Sequence, residues 1–388
     1  MDEGFVRLGH LESMLALPLG RVPLDARGRT VLGPRESLDA IVSGALRLGT
    51  TYVMFSGGRD SSAVLALATH HARRIGRPDP IPVTAVYPDA PESQESDFQD
   101  LVLAHLGLRE RITVTIRDEQ RFLGETATRA LRRHGLLWPA SLQLHGAVFA
   151  HLDPGVLLTG EGGDEALDPR RITPVRVLRG RRTRPPRSLL GAAAAALVPN
   201  AVRRRVEYRR QVRTGELRWL RGPAQEAYAR AVADLSCAPL RWDQETLELL
   251  TRRTTAVALH NFDAQAREFA LAAVHPLADA RFRYALARAG GAWGYAGRTD
   301  LMRRLFADLL PDAVLSRSTK AAFNLSRWGE REREFARSWD GSGVDPELVD
   351  AEALRESWLA DRPTSVEGYY LHLAWLAHEG LDLAGRPR

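Results

Sequence analysis

From Thr51 to Ser62 the chain reads T-Y-V-M-F-S-G-G-R-D-S-S. Thr51 to Phe55 has the length and composition of a short buried strand, and Asp60 to Ile75 has helical spacing. Between them lies a glycine loop. A strand that passes through glycines straight into a helix makes an anion cradle: the backbone can approach phosphate, N–H groups converge, and the helix N-terminus adds positive potential. Gly57 and Gly58 give that close approach, and Ser56, Ser61 and Ser62 can donate hydroxyls. Asp60 beside phosphate would be repelled unless a divalent cation lay between them, so it reads as a magnesium ligand. A plain turn followed by a capped helix would use the same residue types; the context outside the loop favours the anion site.

Working outward, Glu36 to Leu48 carries one apolar helical stripe, Leu38, Ile41, Val42, Ala45 and Leu46. Strands follow at Val83 to Tyr87, Arg111 to Ile116 and Val156 to Thr159. Helices are expected at Glu95 to Leu106, with Phe98, Leu101, Val102 and His105 inward, at about Asp118 to His134 and at Ser141 to Leu152. Strands separated by helices imply an α/β fold with a parallel sheet covered on both faces. Ligands of such sheets sit outside the carboxyl ends of the strands. Two glycine-rich segments fall there, the first loop and L-L-T-G-E-G-G-D-E from Leu157 to Glu165.

Beyond Glu165 the character changes. Arg170 to Arg187 lacks acidic residues and a hydrophobic period and reads as a mobile basic loop. From Ser188 on, the chain reads as helices broken at Pro239, Pro276, Pro311 and Pro346. The expected organisation is a short extension over 1–34, an α/β region over 35–187 ending in the basic loop, and a helical region over 188–388.

No apolar run approaches the roughly 18 residues of a membrane span, and the first thirty residues lack a secretory pattern, so a soluble cytoplasmic protein is expected. The single cysteine, Cys237, excludes an internal disulfide and a cysteine metal cluster. The net charge is +6, yet the positive charge is arginine throughout except for one lysine, Lys320. A chain-wide arginine excess is weak evidence for nucleic acid, which is not the expected partner.

The first loop resembles the signature S-G-G-x-D-S of the PP-loop ATP pyrophosphatases, an adenine nucleotide alpha hydrolase-like fold; no Walker A pattern is present. L-L-T-G-E-G-G-D-E is similar to the second motif of the asparagine synthetase synthetase domain. L-P-D-A-V-L-S-R-S-T-K-A-A-F, from Leu310 to Phe323, is similar to that family's C-terminal lysine segment. The resemblance spans about Glu36 to Trp328 and implies Mg·ATP as cosubstrate. It further implies Asp60 and Asp164 as metal ligands, Glu161 as acid or base near the reacting carboxylate, and Val86, Thr159 and Gly160 as neighbours of the nucleotide. Lys320 is then expected to meet charge developing on the α-phosphate, a task for a compact ammonium rather than a planar fork.

The match has gaps. H-P-L-A-D, from His275 to Asp279, resembles the family's P-F-L-D turn, but Ala272 and Val274 stand where Glu and Arg are usual, and the residues after G-D-E also differ. A glutaminase cysteine would follow the initiator methionine, where this sequence has Asp2. The resemblance therefore implies an ATP-dependent, AMP-forming amide ligase of specialised metabolism without its own glutaminase. A small-molecule or peptide carboxylate and an amine are its expected substrates, and a precursor peptide, carrier protein or separate amidotransferase its expected partners. β-Lactam synthetases and lasso-peptide cyclases, which close a ring within one molecule, are related possibilities. A tRNA-modifying PP-loop enzyme using the basic run Arg170 to Arg213 is the alternative, and a degenerate binding partner a third.

Overall fold

Alternating apolar residues build one sheet that separates two cores. The computed structural model describes residues 4–25, 28–89, 96–215, 217–318, 327–361 and 363–387. Strands β1 (Thr51–Met54), β2 (Ile81–Val86), β3 (Ile112–Thr115), β4 (Gly155–Leu158) and β5 (Leu271–Val274) are parallel, in the order β3-β2-β1-β4-β5. Successive residues of a strand point to opposite faces. Val53, Val156 and Leu158 therefore pack with Leu38, Val42, Val64 and Ala68 from the helices Pro34–Leu46 and Arg59–Arg74. On the other face Tyr52, Val83 and Leu157 pack with Val148, Phe149 and Phe262. Chain order reverses between β1 and β4, and that junction is where an open α/β sheet presents its ligand crevice.

The first four strands lie within a residue or two of their sequence positions. The fifth does not follow the sequence reading, because L-A-A-V lies in a region expected to be helical. Four residues rich in alanine carry no period of their own. Pairing with β4, Gly155 with Leu271 and Leu158 with Val274, makes the segment a strand. The rest of the C-terminal region is helical apart from loops.

Three further expectations need correction. The helix Ser96–Leu106 turns Gln99, Val102 and Leu103 inward and leaves Leu101 and His105 exposed. The helix expected from Asp118 starts only at Glu125, after a tight turn in which a Cβ on Gly124 would lie 2.5 Å from the carbonyl of Asp118. The stretch Arg170 to Arg187 is not a plain loop: Thr173–Gly180 is helical and the next helix, Arg187–Leu197, begins at its end. Two arginines anchor it. Arg170 donates to the carbonyls of Asp168, at 2.9 Å, and Ala166, at 3.0 Å, and Arg171 to those of Ala196 and Ala238, both at 2.7 Å. The guanidinium forks thus tie off helix-end carbonyls, such as those of Ala166 and Ala196, that lack donors within their helices.

The main core joins Leu38 through Ile172 to Trp242 and Leu277 through Leu315, so it is continuous across residue 187. A separate cluster gathers the C-terminal helix Ser365–His378 around Trp339 and Trp358. Met14 and Leu15 of the N-terminal segment are buried in it, and the Tyr370 hydroxyl donates to the Met14 carbonyl at 2.7 Å.

Candidate active site

Val53 pairs with Leu158, so β1 and β4 leave the sheet at the same height and their loops run side by side. The glycines let them touch. A Cβ on Gly160 would lie 2.9 Å from the Ser61 nitrogen, and one on Gly163 only 2.3 Å from Asp60 Cγ. Gly162 has φ +82°, and a Cβ there would meet the Ala278 backbone at 2.7 Å, so the H-P-L-A-D turn closes on the second loop.

Within the first loop Gly57 has φ +86° and Gly58 caps the helix Arg59–Arg74. The hydroxyls of Ser56 and Ser61 are 3.1 Å apart, and Gly58 N–H donates to Ser56 Oγ at 3.2 Å. Gln99 holds the Ser56 carbonyl at 3.0 Å and Arg317 the Gly57 carbonyl at 3.0 Å; the Arg317 guanidinium lies over Phe98, 3.9 Å from its ring centre.

These loops form one wall of a cavity of about 550 Å³. Ser56, Gly58, Asp60, Ser61, Thr159, Gly160, Glu161 and Asp164 all line it. Three expected neighbours of the nucleotide stand back from it. Gly57 and Ser62 lie behind the lining, Ser62 fully buried, and Val86 gives way to Ala85 and Tyr87, which a strand's two-residue period turns the other way. Lys320 lies outside the described residues; Ser318 and Arg327, on either side of that segment, both line the cavity.

Arg298 joins the acids of the two loops. Nη2 donates to Asp60, and Nη1 donates to Asp164 Oδ1 at 2.6 Å and to Asp168. Burial pushes the Asp60 carboxyl up; Arg298 opposes this and Asp164 adds to it. Asp60 Oδ1 is buried without a hydrogen-bond partner, which suits a cation ligand better than a finished ion pair. Asp164 is half exposed on the same loop wall. Among the described residues no group of three or more His, Cys, Asp or Glu side chains could hold a metal unaided. Asp60 and Asp164 could hold a divalent cation only with further oxygen ligands from outside the protein.

Glu161 opens onto the cavity yet has protein on most sides. Its depth in the fold raises the carboxyl pKa above the usual range; His275 opposes that, while Glu165, Asp164 and Asp60 add to it. Glu161 N–H donates to Thr159 Oγ1 at 3.2 Å, and that hydroxyl meets His275 Nδ1 at 2.6 Å. His275 Nε2 lies 2.8 Å from Asp263 Oδ1. A carboxylate only accepts, so Nε2 donates to Asp263, while Nδ1 and the Thr159 hydroxyl share the second hydrogen bond. His145 lines the cavity beyond, its pKa pushed down to about 3 by burial, helped by Arg327 and His275.

Sequence reading missed Gln99, His145, Asp263 and Arg298. It singled out the segments holding His275 and Arg317 but gave those residues no part. Both had a signal in their motifs, whereas Arg298 is one arginine among many.

The site is a cleft of about 550 Å³ lined by the carboxyl groups of Asp60, Asp164 and Glu161. Comparison with curated proteins gave no match. The model of the family described as asparagine synthase matches residues 35–376. The chain therefore belongs to the asparagine synthase family, ATP-dependent ligases that form amide bonds.

Proposed function

We propose that this ligase adenylates a substrate carboxylate, releases pyrophosphate, and passes the acyl group from AMP to an amine in the biosynthesis of a specialised metabolite or peptide. The observation that carries the reading is the packing of Gly163 against Asp60, which brings Asp60 and Asp164 to one place beside the N-terminus of a 16-residue helix. The first loop and that helix hold the β- and γ-phosphates. Magnesium, held by Asp60 and Asp164, would neutralise the pyrophosphate charge. The substrate carboxylate attacks the α-phosphorus, forming an acyl–oxygen–phosphorus linkage as pyrophosphate leaves, with Lys320 meeting the charge on the α-phosphate. The amine then attacks the acyl carbon, and AMP leaves.

Glu161, with its raised pKa, takes the proton that the attacking amine must lose. Thr159, His275 and Asp263 hold the backbone beneath it. The cleft lacks a cysteine, since Cys237 lies elsewhere with Sγ 3.2 Å from the Ala233 carbonyl, and the amine is supplied from outside it. A precursor peptide, carrier protein or separate amidotransferase would deliver the reactants, in a cytoplasmic setting. Among the described residues no helix is long and apolar enough to cross a membrane.

Hydroxylamine can stand in for the amine. A panel of carboxylic acids and peptides with Mg·ATP and hydroxylamine should yield a hydroxamate together with AMP and pyrophosphate for the accepted acid. Formation of ADP and phosphate with that acid would refute the reading.

A further inference from the structure

Arg298 stands where its helix disfavours it. It is the first residue of the helix Arg298–Phe306, at the positive end of the backbone dipole, where a cation is ordinarily unfavourable. Its side chain is only 12 % exposed, and its Nε is buried without a hydrogen-bond partner. Burial works against its charge, but Asp60, Asp164 and Asp168 outweigh that and raise its pKa. Asp60 belongs to the first glycine loop, Asp164 to the second and Asp168 to the end of the short helix that follows it, and the Arg298 guanidinium touches all three. The meeting point of the two loops is thus organised around an arginine, while Asp60 Oδ1 stays unpartnered.

We propose that Arg298 is the resident counter-ion of Asp60 and Asp164 and a positioning residue for the nucleotide. It holds the two loops together before ATP arrives and gives up these acids for pyrophosphate oxygens when Mg·ATP enters. This rests on the reading of the cleft as an ATP site. Two cations cannot share Asp60 and Asp164 at contact distance without strong repulsion. The triphosphate relieves that conflict, because it offers the guanidinium a bidentate partner and gives magnesium its missing oxygens. Asp168 retains the guanidinium during the exchange. The divalent ion then binds with the nucleotide rather than ahead of it, which guards an acidic site against filling by metal alone.

Two titrations of the full chain test this. Mn²⁺ binding without nucleotide is followed by electron paramagnetic resonance, and binding of inorganic pyrophosphate with magnesium by calorimetry. The native chain should bind Mn²⁺ weakly and Mg·pyrophosphate measurably. R298Q should bind Mn²⁺ at least about tenfold more tightly and Mg·pyrophosphate at least about tenfold more weakly, as removal of a competing charge and of a bidentate anion partner requires. R298K, which keeps the charge and is the variant to rely on should R298Q fail to fold, should retain weak Mn²⁺ binding but lose pyrophosphate affinity with the fork. Unchanged or weaker Mn²⁺ binding by R298Q, or native-like pyrophosphate binding by R298K, would overturn the proposal. A native chain that binds no Mg·pyrophosphate would remove the ATP reading itself, so the two failures are distinguishable.

Discussion

Gly163→Ala adds one methyl group at the most crowded point between the two loops. The new Cβ would lie 2.3 Å from Asp60 Cγ and 2.4 Å from Oδ2. Non-bonded carbons rest at about 3.5–4.0 Å, so Asp60 or the second loop must retreat by more than about 1 Å. Asp60 cannot move freely, since Arg298 holds it and the helix Arg59–Arg74 carries it. Overpacking of this kind costs about 1–3 kcal/mol of stability. A shift of about 1 Å in a reacting array can cost on the order of 100-fold in rate. The assay is Mg·ATP binding by calorimetry together with urea unfolding. Gly191→Ala is the control, in the interior of the helix Arg187–Leu197, where a Cβ would meet nothing within 4 Å. That control should gain about 0.5–1 kcal/mol and bind Mg·ATP as the native chain does. Gly163→Ala should unfold at lower urea and bind Mg·ATP at least about tenfold more weakly, given the charge-assisted contacts that Asp60 loses. Native-like binding and stability for Gly163→Ala would refute the claim that close loop contact builds the metal site.

Other outcomes follow from the same geometry. Lys320→Arg keeps the charge but not the compact ammonium, and pyrophosphate release should fall by about 100- to 1000-fold, as for loss of a transition-state donor; unchanged turnover would remove Lys320 from the chemistry. Glu161 has a raised folded pKa, so its contribution to stability is full below the unfolded pKa and is lost as pH rises through the folded one. The melting temperature of E161Q should therefore gain on the native value as pH rises above the ordinary carboxylate range, and parallel curves would contradict that. His145 and His372 are depressed to about 3 and about 4, chiefly by burial. Stability should be full above about pH 6.5 and fall below it, on the order of 1 kcal/mol per pH unit for each fully buried neutral histidine; a flat profile between pH 7 and 5 would show that they are charged or accessible. Binding of tRNA that weakens steeply with salt would favour the nucleic-acid alternative over amide synthesis.

Much of this architecture was legible because strong local signals coincided with tertiary ones. Thr51 to Ser62 carries a buried strand, a glycine turn and a helix start in succession, and Leu157 to Glu165 repeats the pattern, so two loops at strand ends and the acids Asp60, Glu161 and Asp164 could be found from spacing and resemblance. β5 was hidden because Leu271–Val274 owes its conformation to β4 rather than to its own sequence. The helix Thr173–Gly180 was hidden because the arginines just before it look solvated until Arg170 and Arg171 are seen to bind backbone carbonyls. Arg298 could not be singled out, since its meaning lies in three acids 130 to 238 residues away in sequence. Asp263 and His275 are likewise joined only by folding.

The central claim, that the carboxylate is activated on the α-phosphate, is tested most directly by isotope transfer. An accepted acid labelled with ¹⁸O in its carboxylate is turned over with Mg·ATP and hydroxylamine, and the phosphorus products are analysed by mass. Attack on the α-phosphorus followed by cleavage of the acyl–oxygen bond leaves one labelled oxygen in AMP, with unlabelled pyrophosphate. Label in inorganic phosphate, accompanied by ADP, would place the attack on the γ-phosphorus and contradict the account.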